Sequence, residues 1–289
     1  MEKTDIAVLA GDKRTLYMAE ELVKKGYSVY YCDRQESHTD CSDIAESHID
    51  CSHMTESHTD CRSMTEKERK ALGEARAVAG GVPFLEEEEI FPYLQPGQLF
   101  FGGMLSEAFV KKCREKGVKC FDFMREERIA VFNAIATAEG AAAEAIREKE
   151  TNLHGSKCLV CGYGRCGKVL CSKLKGLSAQ VTAASRDEKE LAWAEALGMD
   201  TLTLSALSGK IQEYDYIFNT IPEVILQREL LEKTGKDVLI IDIASGEGGI
   251  NYEEAKRLER KALHLLGIPG KVAPRASAQC LAAYIMEKL

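Results

Sequence analysis

One stretch constrains the fold of this chain more than any other. Lys157-Cys158-Leu159-Val160-Cys161 has the composition of a buried strand and runs directly into Gly162-Tyr163-Gly164-Arg165-Cys166-Gly167. A helical pattern follows over Lys168–Leu174 and ends near Gly176, and Gln180–Ser185 reads as the next strand. Strand, glycine loop, helix and strand thus follow in order within about 30 residues, the context that turns a bare G-x-G-x-x-G into a dinucleotide site. Each glycine serves a separate physical purpose. Gly162 makes the tight turn, Gly164 lets the backbone approach a pyrophosphate, and Gly167 lets helix pack on strand. The helix start adds free N–H groups and the positive end of its dipole. Gly162, Tyr163, Gly164, Arg165, Cys166 and Gly167 are therefore cofactor-binding candidates. The competing reading is a glycine-rich loop in a non-binding α/β domain.

The end of the second strand selects the dinucleotide. An NAD site usually carries Asp or Glu there to accept from the ribose 2′-hydroxyl. This chain has Ala184-Ser185-Arg186, followed by Asp187 one residue late. Ser185 can donate to a 2′-phosphate and Arg186 can pair with it, so NADP is expected ahead of NAD. Asn219-Thr220-Ile221-Pro222 falls at a later strand end, the face where such sheets bind ligands. Asn219, Thr220 and Pro222 join the cofactor candidates near the nicotinamide ribose, with a simple turn as the alternative.

The alternation of strands and helices runs through the rest of the chain. Ile6–Ala10 reads as a strand, Thr15–Lys25 as an amphipathic helix with Leu16, Ala19, Leu22 and Val23 on one face, and Val29–Cys32 as a second strand. Ala75–Ala79, Leu99–Gly103 and Val118–Asp122 are further strands, with a helix over Glu107–Lys116. Arg125–Glu150 is helical in pattern and long enough to connect two lobes. Strands follow the glycine loop at Thr201–Leu204, Tyr216–Asn219, Leu239–Ile243 and Ala262–Leu266. The predicted class is α/β, with two Rossmann-like doubly wound domains, mostly parallel sheets and a cleft between them. The expected domains are 1–130, a substrate and catalytic domain with a C-terminal helix at 276–289 packing back on it, and 131–275, an NADP-binding domain.

Composition sets limits on function. The chain has 289 residues, 45% hydrophobic and 29% charged, comfortable for two domains. No run of about 18 or more apolar residues is present and the start lacks a signal-peptide pattern, so a cytoplasmic protein is expected. The net charge of −8 argues against nucleic-acid binding, and an anionic ligand would need locally gathered Arg and Lys. Eleven cysteines, an odd number, are expected to be mostly reduced and to behave as small hydrophobes.

A ten-residue repeat interrupts the first domain: Glu36-Ser37-His38-Thr39-Asp40-Cys41 recurs at Glu46–Cys51 and Glu56–Cys61. Each copy carries a His-x-x-Cys pair with an Asp, which are metal-ligating types. No small core or paired chelating turns accompany them, so a polar loop insertion is expected and no metal is assigned.

Several motifs together carry a family resemblance. They are Gly11-Asp12-Lys13-Arg14 after the first strand, Asn133-Ala134-Ile135-Ala136-Thr137-Ala138-Glu139-Gly140 on the linking segment, and Leu153-His154-Gly155-Ser156-Lys157 before the glycine loop. Asn219-Thr220-Ile221-Pro222, Ile241-Asp242-Ile243-Ala244-Ser245 and Gly267-Ile268-Pro269-Gly270-Lys271-Val272-Ala273-Pro274 follow in order. In combination they resemble the A subunits of dipicolinate synthase from spore-forming bacteria, over about residues 5–31 and 97–289. Residues 35–70 depart from the pattern. The resemblance implies an NADP-linked oxidation of cyclic 4-hydroxy-tetrahydrodipicolinate to dipicolinate in the mother cell during sporulation. It also implies that the partner is a flavoprotein-like B subunit; homo-oligomerisation stays open.

Such a reaction needs loss of water and removal of a hydride, hence an acid, a base and a ring held against the nicotinamide. Asp12, Arg14 and Glu139 are the catalytic candidates, with Glu139 placed where a helix could begin. Two substrate carboxylates call for cations, and Lys13, Arg14, Lys271 and Arg275, with Thr137, are the substrate-binding candidates. Arg14 is the best placed for a bidentate clamp. His154 reads as a turn residue, His264 as a core-strand residue, and Cys166 as a thiol at a helix start that favours thiolate. Two alternatives remain: another NAD(P)-dependent amino- or hydroxy-acid dehydrogenase, or a non-catalytic nucleotide-binding support subunit.

Polarity and sequence distance predict that residues 36–61 are dispensable for cofactor binding. Replacing them by a short Gly-Ser bridge should leave NADP affinity unchanged. Loss of folding, or of a stoichiometric metal with a large drop in thermal stability, would count against the loop reading.

Overall fold

The computed structural model describes residues 4–32 and 64–289; the three repeat copies lie outside the described residues. The chain divides into two compact units, residues 1–130 with 273–289, and residues 131–272.

The first unit contains β1 (Ile6–Leu9), α1 (Lys13–Lys24), β2 (Val29–Cys32), α2 (Glu66–Glu74), β3 (Ala77–Ala79), α3 (Glu87–Ile90), β4 (Leu99–Gly102), α4 (Glu107–Glu115) and β5 (Lys119–Asp122). The strands are parallel, in the order β2-β1-β3-β4-β5. A parallel sheet covered on both faces needs strands apolar at every position, and β1 is buried throughout. Successive side chains point to opposite faces. Ile6 and Val8 meet Met18, Ala19 and Leu22 of α1, together with Ala278, Leu281 and Ile285 of the C-terminal helix Pro274–Lys288. Ala7 and Leu9 share the opposite layer with Leu72, Phe84, Phe100 and Phe109. The order reverses direction between β1 and β3, which makes their carboxyl ends the crevice where this fold type receives ligands.

The second unit takes over along α5 (Glu127–Lys149) and continues with β6 (Lys157–Cys161), α6 (Arg165–Gly176), β7 (Gln180–Ser185), α7 (Glu188–Ala196), β8 (Asp200–Thr203) and β9 (Tyr216–Asn219). It closes with α8 (Arg228–Leu231), β10 (Leu239–Asp242), α9 (Tyr252–Arg257), β11 (Lys261–His264) and α10 (Ile268–Val272). All strands are parallel, in the order β11-β10-β9-β6-β7-β8. Renumbered from β6, this is the 3-2-1-4-5-6 order of dinucleotide-binding sheets, with the switch point between β6 and β9. Cys161 pairs in register with Asn219, so the glycine loop and the Asn219 loop emerge side by side.

Helix α5 corrects one expectation. It starts at Glu127, so Glu139 lies in mid-helix rather than at a helix start. Gly140 does not interrupt it; a Cβ there would collide with the Ile268 side chain of α10, so the glycine allows a close helix crossing. By length and composition α5 could also cross a membrane, but Ala138, Ala141, Ala142 and Ala145 are packed into the core of the second unit.

Cys158, Cys161 and Cys171 are fully buried in that unit, and burial pushes each thiol up to about 12 from 9.0. A thiol that holds its proton longer when folded contributes stability that is complete below pH 9 and lost as pH rises toward 12. Thermal midpoints should therefore fall between pH 9 and 11, and Cys161→Ala should flatten that slope. Native alkylation at pH 9 should spare these three thiols; modification at the rate of unfolded chain would show that they are not packed.

Candidate functional site

At the end of β6 the chain turns through Gly162, whose φ of 93° lies in the left-handed region. A Cβ at Gly162 would collide with Thr220 Oγ1, and one at Gly167 with the carbonyl oxygen of Gly162. Backbone bonds from Gly162 N to Ala184 O (2.7 Å) and from Thr220 N to Cys161 O (2.9 Å) fix the turn between its neighbouring strands. Thr220 Oγ1 also donates to Cys161 O at 3.0 Å. Gly164 differs from the other two, because a Cβ there would meet nothing within 4 Å. It is the N-cap of α6 and offers no side chain to cap the first turn. The helix start therefore faces open space with uncapped N–H donors, the arrangement that receives a pyrophosphate.

The side chains of this loop divide by exposure. Tyr163 is buried with its hydroxyl toward Met199 Sδ (3.8 Å), so only its backbone can reach a cofactor. Arg165 is exposed. Cys166 is half-buried, and burial raises its thiol pKa despite the charge of Arg165, so the thiolate expected at this helix start is not favoured.

At the end of β7, Ser185 is buried and donates to Glu190 Oε2 at 2.6 Å. Asp187, the acid that kept NAD in view, caps α7 by accepting from Lys189 N at 2.8 Å. Arg186 leaves 78% of its side chain exposed and pairs with Glu223 at 3.4 Å. Glu190, not singled out in the sequence, is the carboxylate that the first turn of α7 returns to this strand end.

Asn219 is buried, with Nδ2 donating to Ile221 O and Asp242 Oδ1, both at 2.9 Å. Asp242, 0% exposed at the end of β10, also accepts from Ala244 N (2.9 Å), Gly249 N (2.6 Å) and Tyr252 Oη (2.7 Å). Burial, then the bond to Asp242, raises the Tyr252 hydroxyl pKa. Gly248 and Gly249 leave no room for side chains against Asp242 and Asn219. The signal for this network was an acid ending an apolar strand just before a glycine-rich turn. Thr220 is partly exposed and Pro222 exposed beside it. His264 ends β11, stacked on Tyr252 at 5.6 Å, with Nε2 3.0 Å from Ala244 O.

In the first unit, Asp12 caps α1 by accepting from Arg14 N at 2.9 Å. Arg14 grips the same carboxylate, Nε to both oxygens at 2.9 Å and Nη2 to Oδ2 at 2.6 Å, and Nη2 also donates to Val82 O. Its side chain is 5% exposed, that of Asp12 41%. Arg14 thus joins the loops after β1 and β3 and aims Asp12, and a ligand carboxylate could reach its fork only by displacing Asp12. Lys13 is exposed beside them.

The remaining candidates have other partners. Thr137 Oγ1 donates to Asn133 O along α5 (2.9 Å), and Glu139 pairs with Lys173 at 2.7 Å. Arg275 stacks on the Tyr17 ring at 4.0 Å and approaches Glu20 at 3.4 Å. Lys271 is exposed on α10, and His154 is exposed in a turn. Among the described residues no three His, Cys, Asp or Glu side chains cluster to hold a metal.

The sheet order and the open glycine loop define the fold class of the nicotinamide-dinucleotide oxidoreductases. Residues 128–264 match the NAD binding domain of D-isomer specific 2-hydroxyacid dehydrogenases, and residues 5–124 match the N-terminal domain family of the dipicolinate synthase A subunit. The match to the second family agrees with the resemblance carried by the sequence motifs. The dipicolinate synthase A subunit of Bacillus subtilis (strain 168) is 33% identical over 183 residues, 63% of this chain and 60% of that protein. The aligned stretch thus spans less than two thirds of the relative's length. In fold, the chain is similar to the dipicolinate synthase A subunit of Bacillus halodurans, with a TM-score of 0.79, 21% identity and 99% and 97% of the two chains covered. A transhydrogenase from Sinorhizobium meliloti follows, with a TM-score of 0.68, 16% identity and coverage of 98% and 94%.

The geometry predicts different behaviour for two glycines of the loop. Gly164→Ala should keep stability within about 1 kcal/mol, the usual effect of alanine at an N-cap, yet weaken dinucleotide binding at least tenfold. Gly167→Ala should lower both, because its Cβ meets backbone. Thermal unfolding with titration of NADP separates the two; equal effects would mean that Gly164 does not face the ligand.

Proposed function

We propose that the chain is the catalytic subunit of an NADP-dependent oxidoreductase that forms dipicolinate from 4-hydroxy-tetrahydrodipicolinate, acting with a flavoprotein-like B subunit in the mother cell during sporulation. The observation that carries this reading is one chain joining an N-terminal domain of the dipicolinate synthase type to an open dinucleotide loop. The ring must lose water, one hydride and one proton, in either order of dehydration and oxidation, to become aromatic. Bound NADP supplies the hydride acceptor. The N–H groups at the start of α6 hold its pyrophosphate, and Arg186 leaves Glu223 for its 2′-phosphate. Asp12, aimed by Arg14, handles a ring proton, and Lys13 receives a substrate carboxylate.

A second reading rests on Glu190. A carboxylate at the end of β7 suits the ribose hydroxyls of NAD, and the domain family of residues 128–264 includes hydroxyacid dehydrogenases. Cofactor titration decides between the two. NADP should bind more tightly than NAD, and Arg186→Asp should remove about 1.5–3 kcal/mol of NADP binding, the worth of a charge-assisted contact. Equal affinities in the unaltered chain would favour NAD at Glu190.

The reaction is tested by reconstitution with the B subunit, followed by chromatographic detection of dipicolinate. Asp12→Asn and Arg14→Ala should lower turnover far more than NADP affinity. A pair that binds NADP without forming dipicolinate, while the chain alone oxidises an amino or hydroxy acid, would support the second reading. Binding of nucleotide and partner with no turnover would identify a support subunit.

A further inference from the structure

Among the described residues, four that are not glycine adopt the left-handed backbone: Met104, Glu150, Ser178 and Glu259. Glu150, Ser178 and Glu259 follow the ends of α5, α6 and α9, where chains commonly turn this way. Met104, with a φ of 60°, follows the end of β4 instead. Glycine would hold this backbone without steric cost, and Gly102 and Gly103 stand just before it, yet the position carries a long side chain. The carboxylate of Asp122, at the end of β5 and 7% exposed, keeps the turn in place. It accepts from Met104 N at 3.0 Å, Leu105 N at 3.1 Å and Met124 N at 2.8 Å. The two side chains of the turn then part. Leu105 is buried in the layer of Phe84 and Phe109, whereas Met104 is 56% exposed and belongs to no core cluster of the described residues. The turn also borders the crevice of the first sheet. Gly103 N donates to Gly81 O at 3.0 Å and Phe84 N to Gly103 O at 2.9 Å, and Arg14 Nη2 donates to Val82 O in the same loop. The loops after β1, β3 and β4 are thus joined in series, with Asp12 and Arg14 at one end and an exposed methionine at the other.

We infer that Met104 is a specificity-determining residue for the reaction proposed above. Its side chain supplies the apolar face on which the ring of the cyclic dicarboxylate rests, and Asp122 is the positioning residue that fixes the turn. The inference rests on the dipicolinate-forming reading. Backbone strain held by the surrounding structure clusters at ligand sites, and here it coincides with an apolar side chain left in water, which gains by covering a ring. The carboxylates of such a substrate call for cations. Its ring carbons call for an apolar contact, which the charged groups of Asp12, Lys13 and Arg14 do not provide. Methionine suits a ring that changes shape. Its unbranched chain adapts to the puckered substrate, and its sulfur is attracted to the edge of the flat aromatic product. A β-branched residue would clash in this backbone, and glycine would leave the ring uncovered.

The test uses the full chain saturated with NADP and titrates two dicarboxylates calorimetrically: dipicolinate, which has the ring, and glutarate, which has none. The unaltered chain should bind dipicolinate more tightly. Met104→Gly should leave the thermal midpoint unchanged, because relief of the left-handed backbone offsets the added freedom of the unfolded chain. It should nevertheless weaken dipicolinate by about fivefold and leave glutarate within about twofold, the scale of a lost sulfur–ring contact. Met104→Leu should keep most of the preference for the ring. Met104→Asn, which also tolerates this backbone, should behave as Met104→Gly does and serves if the glycine disturbs the loop. Asp122→Asn should lower the ratio of the two affinities, with no further fall when Met104→Gly is added. Unchanged dipicolinate affinity in Met104→Gly, or an equal loss of both ligands, would overturn the inference, as would an unaltered chain that binds no dipicolinate. Failure to form dipicolinate with the B subunit would instead overturn the reading on which the inference rests.

Discussion

The dinucleotide side of the molecule depends on one buried carboxylate. Removing Asp242 from water without compensation would cost several kcal/mol. Four donors offset that cost: the amide of Asn219, the backbone N–H groups of Ala244 and Gly249, and the hydroxyl of Tyr252. Because these donors come from three segments, the loops after β9 and β10 cannot shift independently without leaving a charge unsatisfied. Thr220, which meets Gly162, follows Asn219 directly in the chain. The position of the glycine turn is thus tied, through Thr220 and Asn219, to a carboxylate at the end of the next strand but one.

The two units use related topologies to opposite ends. Each places a helix N-terminus at the switch point of a parallel sheet, where dipole and free N–H groups favour an anion. In the second unit Gly164 leaves that position open. In the first, Asp12 occupies it with its own carboxylate, and Arg14 holds the carboxylate in place. One unit is built to receive phosphate, whereas the other presents an acid at the corresponding point. This difference between related sheets favours a proton-handling role in the first unit over a second nucleotide site.

The strands were legible because parallel strands buried on both faces form apolar runs. β1, β2, β6, β7 and β9 differ from their sequence-read spans by at most one residue. Helix α2 was missed, although Thr65-x-x-Glu68 is a capping box and forms as one, because the adjoining repeat drew that segment into the insertion. The glycine roles were legible because the motif is local. Partners distant along the chain were not: nothing local says that Asp242 reaches Asn219 or that Glu139 faces Lys173. Asp12 and Arg14 are two residues apart, yet their pairing was missed because each was weighed singly as a ligand group.

Arginines that can take up a ligand differ in energy from those that hold the protein. Breaking the contact of Arg14, whose side chain is 5% exposed, would leave a poorly solvated guanidinium, a change that costs several kcal/mol. Arg186 and Glu223 are both exposed at 3.4 Å, and such surface pairs contribute about 1 kcal/mol or less. The second pair is also placed where exchange matters. Since β6 lies between β7 and β9, a contact from Arg186 after β7 to Glu223 after β9 reaches past the carboxyl end of the strand that carries the glycine loop. An entering dinucleotide would trade this weak link for a charge-assisted phosphate contact, with little to lose in the free protein. Under the proposed function, Arg186 would be suited to selecting the ligand and Arg14 to orienting an acid, although side-chain type alone made Arg14 look like the clamp.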